Sequence, residues 1–294
     1  MSGSSGSEEV QEYRQVPRLL GGLVPATVGY AATGLETRIH RGLPSPYLTF
    51  IFSLDGPVVT GETEDEAFGA DAQRHDLLIG GLASRPAYVV QPATQAGIQL
   101  AVHPLAARAV FGMPARELDV LAADGRDVLG PEAGRVGERL RSLTTWGERF
   151  GLVQAYLRSR VDDRRLGPPR PELIEAWTWM ARFRGTGSMD GLSEHVGLSS
   201  RQLRSVFGGE LGMSPKQISR LMRFDHAKQL ITEAVGRSGR LDLTSIALQA
   251  GFYDHAHLDR DFAALTGTSP TGWLAEERRN IQAGGHRSSS EWEA

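Results

Sequence analysis

Near its C-terminus the chain repeats itself imperfectly, and this repeat limits the fold more than any other feature. The segment Gly197-Leu-Ser-Ser-Arg-Gln-Leu203-Arg-Ser-Val-Phe207 is followed by Gly212-Met-Ser-Pro215. It recurs as Gly251-Phe-Tyr-Asp-His-Ala-His-Leu258-Asp-Arg-Asp-Phe262, followed by Gly267-Thr-Ser-Pro270. In each copy a turn glycine precedes a capping residue, Leu and Phe stand four apart, and Gly-x-Ser-Pro ends the helix. A short amphipathic segment precedes each copy. The pattern predicts two helix-turn-helix units in tandem. The second helix of such a unit fits the major groove of double-stranded DNA.

Ser199 and Asp254 are the expected helix caps. With Leu203/Phe207 and Leu258/Phe262 turned to the core, the residues between them face outward. In the first unit these are Ser200, Arg201, Arg204 and Ser205; in the second they are His255, Ala256, His257 and Arg260. These eight are the candidate DNA contacts. Arginine pairs bidentately with guanine, a contact worth about 1–3 kcal/mol of discrimination. A helix expected over 215–235, with Ile218, Leu221, Met222, Ala227, Leu230, Ile231 and Ala234 as its apolar stripe, joins the units. About 20 residues span roughly 30 Å, close to the ~34 Å between successive major grooves on one DNA face. Helices are further expected over 172–183, 190–196, 200–210, 243–250, 255–265 and 271–279.

Charge argues the other way. Thirteen Arg or Lys stand against thirteen Asp or Glu between residues 172 and 279, and the whole chain carries a net charge of −3. The broad basic footprint of many nucleic-acid binders is missing. Asp259 and Asp261 flank Arg260 and repel phosphate, so the second unit reads as the weaker partner. Docking of a protein is the competing role for the helical module.

The first half differs in character. Residues 17–105 carry short β-type runs at 47–54, 76–79, 87–91 and 97–102, separated by turn residues, and predict a sandwich or small barrel. Phe50 and Phe52 sit in the first run, where a filled core is the simpler reading and a ligand cavity the alternative. From 104 helical runs take over at 105–111, 114–121, 132–143 and 146–161. The Arg- and Pro-rich stretch 164–171 breaks regular structure and marks the domain boundary. The expected fold class is α+β: a flexible tail over 1–16, a β-rich sensing domain over 17–105, and a helical dimerisation or connector segment over 106–166. An all-α double helix-turn-helix domain then covers 172–280, and a second tail 281–294.

Catalytic signals are weak. With no cysteine there is no thiolate metal site or cysteine nucleophile. His40, His75 and His103 are scattered, not set at ligand spacing, and no phosphate loop or nucleophile elbow occurs. Neither a metal nor a cofactor is expected. No apolar run reaches the ~18–20 residues of a membrane helix, and the first residues lack the basic and apolar regions of a signal peptide. A cytoplasmic location is the expectation.

The repeat resembles the DNA-binding domain of the AraC/XylS family of bacterial transcription regulators. The likeness runs over residues 189–277 and includes Leu192-Ser-Glu-His-Val-Gly-Leu-Ser199, Arg223-Phe-Asp-His-Ala-Lys-Gln-Leu-Ile231 and Ile246-Ala-Leu-Gln-Ala-Gly-Phe252. Asp254-His-Ala-His-Leu258 is similar to a branch with an Asp-Gln-Ala-His-Leu pattern, with His255 in place of Gln. The residues 43–52 and 97–114 resemble the cupin-like domains that precede this module in some members. The resemblance implies a transcription regulator without catalysis, with double-stranded DNA as partner and RNA polymerase as a second partner in an activator. It also implies a small-molecule effector or a homodimer at the N-terminal domain. The alternative from another class is a cupin-like enzyme or small-molecule-binding protein whose helical module docks a protein.

Overall fold

A computed structural model describes residues 10–16, 18–118, 121–163, 166–238 and 241–282. The N-terminal half is a sandwich of two antiparallel sheets. The larger sheet runs in the order β1 (Val10–Val16), β2 (Ala26–Thr33), β9 (Gln95–Val102), β4 (Leu48–Ser53), β7 (Leu77–Gly80) and β10 (Ala123–Asp124). The smaller runs β3 (Arg38–Gly42), β8 (Ala87–Gln91), β5 (Val58–Gly61) and β6 (Gln73–His75). A short helix, α1 (Glu64–Phe68), capped by Thr63, follows β5.

Alternation along β4 decides the layering. Leu48, Phe50 and Phe52 are fully buried on the face that meets the helices. Phe50 packs edge-on against Phe111 and Phe52 against Tyr156, at 5.9 and 6.4 Å between ring centroids. The two phenylalanines are therefore filled core. Thr49, Ile51 and Ser53 on the opposite face line a cavity of about 680 Å³ between the sheets. Gln99, in the middle of β9 and flanked by β2 and β4, is solvent-exposed because it opens into this space.

Three expectations for this half need correction. Residues 10–16 are not tail: β1 pairs with β2 in register from Val10↔Thr33 to Val16↔Thr27. Its polar sequence hides a strand because the ladder needs only backbone groups, and Tyr13, opposite Tyr30, is its one large inward residue. The helix expected over 114–121 shrinks to a 3-10 turn at Ala115–Leu118, and β10 then returns to the sheet beside β7. The run at 105–111 splits into a 3-10 turn (Pro104–Ala106) and α2 (Ala107–Val110).

The helices α3 (Gly125–Leu129), α4 (Pro131–Ser142) and α5 (Trp146–Asp162) cover the outer face of the larger sheet. A capping box fixes the start of α5: Thr145 accepts from the Glu148 amide, and the Glu148 carboxylate accepts from that of Thr145. Where β2 passes under α5, a Cβ at Gly29 would stand 2.6 Å from Trp146, so only glycine fits. Of the stretch expected as boundary, 164 and 165 lie outside the described residues. The first tail's residues 1–9 and the second tail from 283 on lie outside them too.

The C-terminal half is all helix: α6 (Pro171–Arg182), α7 (Met189–Val196), α8 (Ser200–Leu211), α9 (Pro215–Ser238), α10 (Leu243–Gln249), α11 (His255–Thr266) and α12 (Pro270–Gln282). The inner side of α9 buries Ile218, Leu221, Phe224, Ala227 and Ile231. Against it pack Phe262 and Trp273, joined in an aromatic stack with Phe224–Phe262 at 5.0 Å and Phe262–Trp273 at 5.7 Å.

Candidate nucleic-acid interface

The first unit is α7, a turn and α8. Gly197 ends α7 in the left-handed conformation (φ 72°), where a side chain would be strained. The Leu198 amide then donates to the Ser193 carbonyl, closing a Schellman turn. Ser199 and Gln202 form a reciprocal capping box at the start of α8. Leu203 and Phe207 are buried at 2% and 0% exposure, which fixes the roll of α8 about its own axis. Ser200, Arg201, Arg204 and Ser205 are consequently all exposed on its outer side. Neither arginine has an ion-pair partner among the described residues.

The second unit repeats the plan with different chemistry. The Phe252 amide donates to the Ala247 carbonyl, the counterpart of the Leu198 bond, and Asp254 caps α11 by accepting from the His257 amide at 2.7 Å. Leu258 and Phe262 are fully buried. Of the four candidate contacts only Ala256 and Arg260 are exposed, while His255 and His257 are half-buried. His255 Nε2 lies 3.3 Å from Asp259, and Arg260 Nε donates to the Ala256 carbonyl at 3.2 Å. His257 sits edge-on to Phe252, with its Nδ1 accepting from the Tyr253 amide. Asp261 turns inward to Arg220 of α9 at 3.1 Å, which neutralises one of the two flanking carboxylates.

The two units are held at a fixed separation by α9, whose 24 residues span about 36 Å at ~1.5 Å each. Both are also gripped by the N-terminal half. Arg108 of α2 donates three hydrogen bonds of 2.7–3.0 Å to the carboxylate of Glu210, on the inner side of α8. This pairing raises the already high pKa of the guanidinium. Arg41 of β3 donates to the Thr266 carbonyl at the end of α11 and lies 3.4 Å from Glu276 of α12. His40 Nδ1 is 2.9 Å from the buried Glu277. His103 packs its ring 4.9 Å from Trp177 of α6, and burial pushes its pKa down to about 4. Sequence reading missed these clasps because their partners are 74 to 237 residues apart and carry no local pattern.

Among the described residues, no group of three or more His, Asp or Glu could hold a metal ion. No described helix is long and apolar enough to cross a membrane.

Residues 192–276 match the family model described as "Helix-turn-helix domain". The HTH-type transcriptional regulator ArgR of Pseudomonas aeruginosa is 28% identical over 122 residues, covering 41% of this chain. The match spans 34% of that relative's length, about a third. Among solved structures, ToxT from Vibrio cholerae O395 aligns over 91% of this chain and 97% of its own, with 10% identity and a TM-score of 0.46. The DNA-binding domain of AdpA in complex with a target DNA aligns over 37% of this chain and 96% of its own, with 20% identity and a TM-score of 0.32. Residues 192–276 of the chain are thus a helix-turn-helix domain, joined here to a β-rich N-terminal domain.

Proposed function

We propose that the chain is a sequence-specific DNA-binding transcription regulator in which α8 and α11 enter two adjacent major grooves. The outer side of α8 carries this reading: two arginines without ion-pair partners among the described residues, flanked by two serines, on a capped helix whose roll is fixed by buried Leu203 and Phe207. Such a side has no folding role and offers bidentate donors at groove depth. Unit two, with Asp259 beside Arg260, contributes mainly phosphate contacts and less base reading. Double-stranded DNA is the first partner; in an activator, RNA polymerase is the second. We assign no catalytic step.

The N-terminal domain controls the module, by binding an effector, by pairing two copies, or by both. The cavity favours an effector. Its wall includes Asp225, Lys228 and Thr232 of α9, so a molecule there touches both the sandwich and the helix that joins the units. Cations on the wall are already paired: Arg14 with Glu12 at 3.0 Å, Arg85 with Glu62 at 2.8 Å and Lys228 with Asp225 at 3.0 Å. An anionic ligand would compete with these carboxylates for the cations, whereas a neutral polar one can bond Gln99 and Thr49 without doing so. Control then works by changing how the two halves sit across the 164–171 connection.

Selection of bound DNA from a random pool by the full chain tests the reading. It should enrich a motif with two half-elements about one helical turn apart. The Arg201→Ala/Arg204→Ala double variant should lose most of the affinity for that motif. No enrichment, or indifference of the double variant, counts against the proposal.

A further inference from the structure

The two units differ by one inserted residue. In the first, Gly197, Leu198 and cap Ser199 are consecutive; in the second, Gly251 and Phe252 are separated from cap Asp254 by Tyr253. The alignment is fixed by bonding as well as by sequence, since Leu198 and Phe252 each donate to the carbonyl five residues back. Leu198 and Phe252 both turn inward, half-buried and 3% exposed respectively. Tyr253 has no counterpart and no place in the core. At 86% exposure it stands out farther than the other large hydrophobic side chains among the described residues, beside the first turn of α11. Only its backbone is engaged, through the amide bond to His257.

We infer that Tyr253 is a DNA contact of the second unit, its ring lying against a backbone deoxyribose and its hydroxyl donating to a phosphate. The inference rests on the DNA-binding reading above. In a helix-turn-helix the residue just before the recognition helix lies at the groove edge, and tyrosine is among the side chains that bond phosphate and sugar. An aromatic ring left in water gains most where another apolar surface covers it, and the sugar face offers one. The contact also fits the electrostatics of α11. A neutral hydroxyl can approach phosphate beside Asp254 and Asp259, and it gives the second unit a grip that does not depend on Arg260.

The test titrates the full-length protein with the DNA that it selects, for wild type, Tyr253→Phe and Tyr253→Ala, at several salt concentrations. Tyr253→Ala should weaken specific binding about three- to tenfold, as expected for one net hydrogen bond plus the ring contact. Tyr253→Phe should recover part of the loss. The salt slope should stay unchanged in both, since no cation is removed, and so should the unfolding temperature, since the side chain packs against nothing. Tyr253→Ala binding within twofold of wild type, or a loss matched by a lower unfolding temperature, overturns the inference alone. Failure of the wild type to select any motif removes the DNA-binding reading and the inference with it.

Discussion

Arg108→Ala breaks the clasp between the N-terminal half and the first recognition helix. Glu210 is only 8% exposed in its side chain, so the substitution strands a carboxylate that folding has taken out of water. Removing one partner of a fully buried pair costs about 3–5 kcal/mol. Arg108 is 29% exposed, which lets water reach the stranded carboxylate and brings the expected loss to about 2–3 kcal/mol. Glu210→Gln keeps an acceptor without the charge and should cost less. In the Arg108→Ala/Glu210→Gln double variant the stranded charge is gone. Its loss should fall short of the summed single losses by about 1–2 kcal/mol. Arg108→Lys should recover little, because a single ammonium cannot reproduce the two-pronged contact. Urea unfolding followed by tryptophan fluorescence measures all four variants, with Trp177 close to the domain contact. Additive single losses, or an Arg108→Ala loss under about 0.5 kcal/mol, would show that the pair is solvated and that the clasp does not hold the halves together.

Arg204→Ala should weaken specific DNA binding more than Arg260→Ala, because the Arg260 side chain already bonds the Ala256 carbonyl and has Asp259 next to it in sequence; titration showing the reverse ranking would sink the assignment of the first unit as the main reader. Asp254→Ala should cost about 1 kcal/mol of stability through the lost cap while Asp254→Asn costs little, measured by urea midpoint. His103 gives a pH dependence of known sign. Its pKa near 4 in the folded state lies below the ordinary 6.5, so the unfolded chain takes up a proton first as pH falls. Stability is therefore full above pH 6.5 and declines toward pH 4, by up to about 3 kcal/mol. His103→Asn, which keeps an acceptor for the Leu105 amide, should flatten that slope; an unchanged slope would show that other groups set it.

How much was legible from sequence follows from where the signals are local. The C-terminal helices start and end close to their expected positions because each boundary is written in a cap or a glycine: Ser199, Gly197, Asp254, Gly212 and Gly267 all serve as read. The outer face of α8 follows directly from Leu203 and Phe207. In α11 the same logic gave four candidate contacts; Ala256 and Arg260 are the most exposed, His255 pairs with Asp259, and His257 turns to Phe252 and the turn. Asp261 misled in the other direction, since its partner Arg220 lies on α9. The N-terminal half was legible only at its most apolar strands. Strands β1, β3 and β5 line the cavity with polar residues such as Gln11, His40 and Thr60, so they show no apolar alternation. Tyr253 was visible in sequence as one extra residue in the second copy, but only its exposure gives that residue meaning.

The central claim is that two rigidly spaced recognition helices read one face of DNA. Hydroxyl-radical footprinting of the full-length protein on its selected site tests this directly. Two protected backbone regions about one helical turn apart are predicted, with the stronger protection at the half-element lost in the Arg201→Ala/Arg204→Ala variant. A single protected region that persists in that variant would contradict the account.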